Sequence, residues 1–150
     1  MKILALVTDA FGAGGGIAQY NRDLLTALSK QTSTEHILVL PRYGIVESLP
    51  EKIEQKKPAS NKVHYTVFTL YKALAYKPEI IFCGHLNFLP LASLVSKLTG
   101  KPIWLQLHGI DAWEPPGKLI EKLVQRVAMV TCVSRYTRKR FLSWADVSPF

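Results

Sequence analysis

Cysteine is scarce in this sequence: Cys83 and Cys132 are the only two in 150 residues, each in or at the end of an apolar run. Two thiols make no disulfide framework and too small a ligand set for a structural metal, so they read as buried free thiols in a reducing compartment. Long hydrophobic runs are also missing. Met1–Val7 meets Thr8 and Asp9 at once and is too short and too uncharged in front for a signal peptide. Leu86–Leu98 is broken by Pro90, Ser93, Ser96 and Lys97 and falls short of a bilayer span. The expectation is a soluble protein, or one attached to a membrane face. Acidic side chains are few as well, 11 against 19 Lys and Arg, for a formal charge of +8. No zinc-ligand spacing, basic-region heptad or aromatic RNA-binding signature accompanies that surplus, which argues against nucleic acid. A solvated basic face, an anionic membrane or a phosphorylated substrate remains.

Hydrophobic residues make up 48% and charged residues 20%, the ordinary globular range, and the length fits one domain over residues 1–150. Lys2–Thr8 is continuously apolar up to Val7, as a strand buried on both faces should be. Ile17, Leu24, Leu25 and Leu28 then recur at helical spacing through Ile17–Lys30. Further strands are expected at His36–Leu40, Lys62–Phe68, Glu79–Cys83, Lys101–Leu107 and Met129–Val133. Helices are expected at Leu70–Tyr76, at Asn87–Thr99 with Gly100 as C-cap, at Pro116–Val127 and at Arg135–Ala145 behind a Ser134 N-cap. Arg42–Asn61 reads as a polar surface excursion with a short helix at Val46–Lys56. Strands alternating with helices predict a three-layer α/β/α domain around a mainly parallel sheet.

In such a sheet the ligand crevice lies outside the carboxyl ends of the strands. Three strand ends carry suitable chemistry. After the first come Asp9 and Gly14-Gly15-Gly16, where glycines let backbone approach a sugar or phosphate and the next helix offers free amides. After the fifth comes His108-Gly109-Ile110-Asp111: a histidine a ligand can reach past a glycine, and a carboxylate able to accept from ligand hydroxyls. After the sixth comes Ser134-Arg135, a helix start loaded with cations. Cys83-Gly84-His85-Leu86-Asn87 echoes the pattern at the fourth strand, with His85 and Asn87 as candidates and Asn87 equally an N-cap. The glycine spacing is no clean dinucleotide fingerprint. Leu38-Val39-Leu40-Pro41 closes the second strand without the acidic residue a ribose would want, which disfavours a nicotinamide-dependent oxidoreductase.

Asp9 with Gly14-Gly15-Gly16-Ile17, then His108-Gly109-Ile110-Asp111, then Val133-Ser134-Arg135-Tyr136-Thr137 resemble, in that order, the amino-terminal half of the two-Rossmann-domain (GT-B) glycosyltransferases of retaining family 4. The resemblance covers essentially the whole chain. It implies a Rossmann-like, acceptor-binding domain of an enzyme that moves a sugar from a nucleotide-sugar to an acceptor with retention. No metal or cofactor is implied beyond the nucleotide-sugar as co-substrate. It implies that Gly14, Gly15 and Gly16 abut donor phosphates and acceptor, and that His108 contacts the donor sugar as the catalytic candidate. Asp9, His85, Asn87, Gly109, Asp111, Ser134 and Arg135 complete the expected substrate-binding set. The family's second domain carries most of the nucleotide-sugar site, and the sequence stops at Phe150. The chain is thus expected to be an excised domain, a gene fragment or half of a two-chain enzyme, inactive alone. Its expected place is the cytoplasm, with peripheral contact at the inner membrane face. A stand-alone module binding an anionic ligand without catalysis is the alternative.

Overall fold

The computed structural model describes residues 1–12, 14–44 and 48–147. Six strands form one parallel sheet: β1 (Lys2–Val7), β2 (His36–Pro41), β3 (Ile53–Gln55), β4 (Ile80–Cys83), β5 (Ile103–Leu107) and β6 (Met129–Cys132). Their order is β3-β2-β1-β4-β5-β6, so the winding reverses direction between β1 and β4. Within β1, Leu4 stands beside Leu38 on one side and Ile81 on the other. Ile3–Val7 are wholly buried, which is why this strand reads as one apolar run rather than an alternation.

Helices cover both faces. On one, α1 (Gly16–Ser29) sets Leu25 against Ile3, Ala5, Val7, Val39 and Phe82. On the other lie α2 (Lys62–Tyr76), α3 (Leu89–Thr99), α4 (Lys118–Val124) and α5 (Arg135–Leu142). Tyr65, Val95, Val124 and Phe141 from these four helices join the second core with Leu4, Leu6 and Leu105. The arrangement is the Rossmann-like three-layer α/β/α class. Gly100 ends α3 in the left-handed region at φ 70°, and the Ser134 hydroxyl caps α5 by accepting from the Thr137 amide at 3.0 Å, both as the sequence predicts.

Two expectations fail in the middle of the chain. Lys62–Phe68 is no strand but the first half of α2. Val63, Tyr65 and Val67 alternate like a strand, yet Tyr65, Thr69 and Ala73 are buried one helical turn apart. The Asn61 side chain caps this helix by accepting from the His64 amide at 2.9 Å. The third strand is instead β3, three residues inside the segment expected to be polar surface. Of the helix expected at Val46–Lys56, Val46 and Glu47 lie outside the described residues; the rest holds β3. The two thiols are free; Cys83 is buried with its pKa pushed up to about 12 by desolvation, whereas Cys132 is only half-buried.

Candidate functional site at the carboxyl ends of the strands

Every candidate residue follows a strand at the carboxyl edge of the sheet: those after β1, β4 and β5 lie at or beside the reversal between β1 and β4, whereas Ser134 and Arg135 follow the edge strand β6. The loop leaving β1 is fastened from behind by α1. Asn21 donates to the Asp9 carbonyl at 2.9 Å, and the Arg22 guanidinium reaches the Ala10 and Gly12 carbonyls at 3.1 and 3.0 Å. The Asp9 carboxylate turns into the same loop, accepting from the Ala10 and Gly12 amides at 2.6 and 3.0 Å. One Asp9 oxygen therefore shapes the loop. Gly14, Gly15 and Gly16 are exposed, with Gly15 at φ 131°, and α1 begins without any side-chain cap. Its first amides stay open to an anion, as a helix start favours.

Next to the β1 loop along the same edge, β4 ends before Gly84. A side chain here would press within 2.8 Å of Val7 Cγ1, so only glycine lets the turn sit this close to β1. Its carbonyl accepts from His108 Nε2 at 2.9 Å. A carbonyl cannot donate, so Nε2 carries the proton, and among the described residues Nδ1 of the neutral ring has no hydrogen-bond partner. Burial lowers the His108 pKa, and neighbouring His85 lowers it further, against opposing pulls from the Gly84 carbonyl and Asp111. The His85 ring lies 6.3 Å away and nearly parallel, its own Nδ1 accepting from the Asn87 amide at 3.1 Å. Asn87 itself is exposed and caps nothing; the cap expected of it is supplied by His85.

Two residues that sequence reasoning missed hold His108 from the other side. Tyr20 of α1 sets its ring edge-on to the imidazole at 5.2 Å, and its hydroxyl donates to Gln106 at 3.0 Å. Gln106 is fully buried in β5 and also accepts from Thr131, which in turn accepts from Trp104 Nε1. The signal was present: Gln106 is the one polar side chain in the Ile103–Leu107 run.

Gly109 turns the chain at φ 143°, a conformation any side chain resists, and leads to Asp111. Asp111 Oδ2 is buried and, among the described residues, has no hydrogen-bond partner. A buried carboxylate oxygen left so is costly and suits a ligand hydroxyl. Ser134 and Arg135 stand one strand further out. Tyr136 meets Trp113 edge-on at 5.2 Å, tying that helix start to the Asp111 segment. The Ser134 hydroxyl is occupied as the cap of α5, and Arg135 is exposed.

The histidine gives a pH expectation. A folded-state pKa below 6.5 means the unfolded chain takes up a proton that the native site resists. The site's contribution to stability is present above pH 6.5 and is lost as pH falls below it toward the folded value. Urea unfolding of the wild type and His108→Gln across that range should show the wild type losing the more stability on acidification. Parallel curves would remove the effect.

A doubly wound parallel sheet with polar groups at the carboxyl ends of its strands defines the chain as a Rossmann-like domain. The family model for Glycosyltransferase Family 4 matches residues 14–149, and the chain belongs to that family. No curated protein matches it. Among solved structures it is similar to Alr3699/HepE of Anabaena in complex with UDP, at 16% identity and a TM-score of 0.64 over 95% of this chain and 40% of that one. The same protein in complex with UDP-glucose gives 18% identity and a TM-score of 0.63, with the same coverage. The apo form of the lipopolysaccharide outer core galactosyltransferase WaaB gives 16% identity and a TM-score of 0.62, over 99% of this chain and 43% of that one. The chain thus spans about two fifths of the length of these structures.

Proposed function

We propose that this chain is the amino-terminal, acceptor-side half of a glycosyltransferase that moves a hexose from a nucleotide-sugar to an acceptor with retention, and is inactive without a donor-binding half. The observation that carries the reading is His108: a neutral imidazole fixed by Gly84 and Tyr20, with Nδ1 free at the strand ends. In this reading Nδ1 accepts a hydrogen bond from a donor-sugar hydroxyl, and Asp111 Oδ2 accepts from a second hydroxyl. The open glycines and first amides of α1 lie toward the diphosphate, with Arg135 adding positive charge at the outer end. Asp9 contributes by shaping the loop, and His85 and Asn87 border the crevice. Family membership supports the reaction class, and the UDP and UDP-glucose complexes of HepE support a nucleotide-sugar as co-substrate.

In this reading the groups that stabilise a departing diphosphate belong to the donor-binding half. The experiment is therefore transfer from UDP-glucose by the chain joined to its donor-binding half, with the chain alone as the comparison. Transfer by the joined protein only is expected; robust transfer by the 150 residues alone would overturn the division of labour. Peripheral contact with an anionic membrane on the cytoplasmic side is the remaining part of the reading.

A further inference from the structure

Helix α2 carries large apolar side chains on its outer face as well as its inner one. Tyr65, Thr69 and Ala73 face the core, while Val63, Val67, Tyr71 and Leu74 run along the opposite face, 74, 61, 65 and 54% exposed. Spacings of four, four and three residues keep them in one row. Neighbouring α3, on the same face of the sheet, exposes Leu94 and Leu98. So much large apolar side chain on adjacent helices marks a surface that meets something.

Charge says what. Between Gln55 and Ile110 the sequence carries seven lysines and a single carboxylate, Glu79, so most of the +8 surplus belongs to this stretch. Glu79 is held at the far edge of the sheet, accepting from the Lys2 amide at 2.7 Å. Beside the apolar row, Lys56, Lys57 and Lys72 surround a depression of about 420 Å³ with His64, over a floor that includes Pro58 and Phe68. Glu54 pairs with Lys56, leaving Lys57 and Lys72 as the dominant charges there. The Lys72 ammonium lies 5.4 and 5.5 Å from the Phe68 and Tyr71 ring centres, at the border between the basic depression and the apolar row. An apolar row flanked by lysines matches a bilayer surface, where side chains enter the acyl boundary while ammonium groups meet phosphates.

We propose that the outer face of α2 is a docking surface for an anionic bilayer, with Val63, Val67, Tyr71 and Leu74 entering the interface and Lys56, Lys57 and Lys72 holding lipid phosphates. This rests on the reading of peripheral membrane contact and gives it a location. It is separable from the transferase reading, because vesicle binding needs neither donor nor acceptor.

Flotation of the 150-residue chain with phosphatidylcholine vesicles, with and without phosphatidylglycerol, tests it. Binding only to the anionic vesicles is expected, falling steeply with salt as exposed charges are screened. Lys56→Gln/Lys57→Gln/Lys72→Gln should weaken it on the order of 100-fold. Val67→Asp/Tyr71→Asp should abolish it, with circular dichroism unchanged because both side chains are exposed. The charge-matched control Lys30→Gln/Lys122→Gln/Lys139→Gln should stay within about tenfold of wild type, having lost only diffuse attraction. The proposal is overturned by equal binding to neutral vesicles, by an equal loss in the control, or by folded Val67→Asp/Tyr71→Asp binding like wild type. It is equally overturned if vesicles are ignored and sedimentation shows a dimer that the aspartates dissociate.

Discussion

Replacing Phe82 by alanine is expected to destabilise the fold by about 3–5 kcal/mol, the range for deleting a buried aromatic ring. Phe82 sits in β4 at the sheet's reversal point, wholly inaccessible to solvent, between Ala5 of β1 and Trp104 of β5. The small side chain of Ala5 leaves room for the ring on the α1 face, where it meets Trp104 edge-on at 5.0 Å. Removing it takes away apolar burial and an aromatic contact together, and the strands on either side cannot close the gap without losing ladder hydrogen bonds. A fall in melting temperature on the order of 10 °C should accompany the loss. Urea unfolding gives the free energy; a cost under about 1 kcal/mol would mean that this core collapses around the cavity.

The other large effect concerns His108 in the joined transferase. Alanine there removes the Nδ1 acceptor and the contact with Tyr20, and leaves the Gly84 carbonyl without its imidazole donor. If Nδ1 holds a donor-sugar hydroxyl on the way to the transition state, kcat/KM should fall on the order of 100-fold, as when one preorganised hydrogen-bonding group is removed. The split between constants is informative: a rise in KM with kcat intact would make His108 a ground-state contact only. Unchanged kinetics would remove His108 from the site.

The contrast between these two residues mirrors what the chain reveals before folding. β1 and β4 are legible because both their faces are buried and their runs Ile3–Val7 and Ile80–Cys83 are apolar throughout, and Gly100 and Ser134 announce helix ends through their own local chemistry. Lys62–Phe68 misleads because β-branched and aromatic residues alternate there on a helix whose outer face is apolar. Period two and period 3.6 are confounded when both faces carry hydrophobic groups. Only the Asn61 cap and an uninterrupted run to Tyr76 separate them. β3 is invisible because three residues, Ile53, Glu54 and Gln55, are too few to establish a period.

At the strand ends, residue types and their edge of the sheet could be read from sequence, but their hydrogen bonding could not. Asp9 and Ser134 offer the same oxygens to a ligand or to neighbouring amides, and the fold directs both to amides. Tyr20 lies 86 residues from Gln106 and 88 from His108. Contacts so distant in sequence leave no local periodicity, and only the buried glutamine hints at them.

The site at the strand ends is tested most directly by amide and imidazole NMR of this chain, labelled within the joined transferase and titrated with UDP-glucose, with NADH as comparison. Within this chain, shifts are expected only at Gly14–Ile17, Gly84, His85 and His108–Asp111, with His108 Nδ1 moving on saturation and NADH without effect. Shifts scattered over the amino edge of the sheet, or saturable NADH binding at the glycine loop, would contradict it.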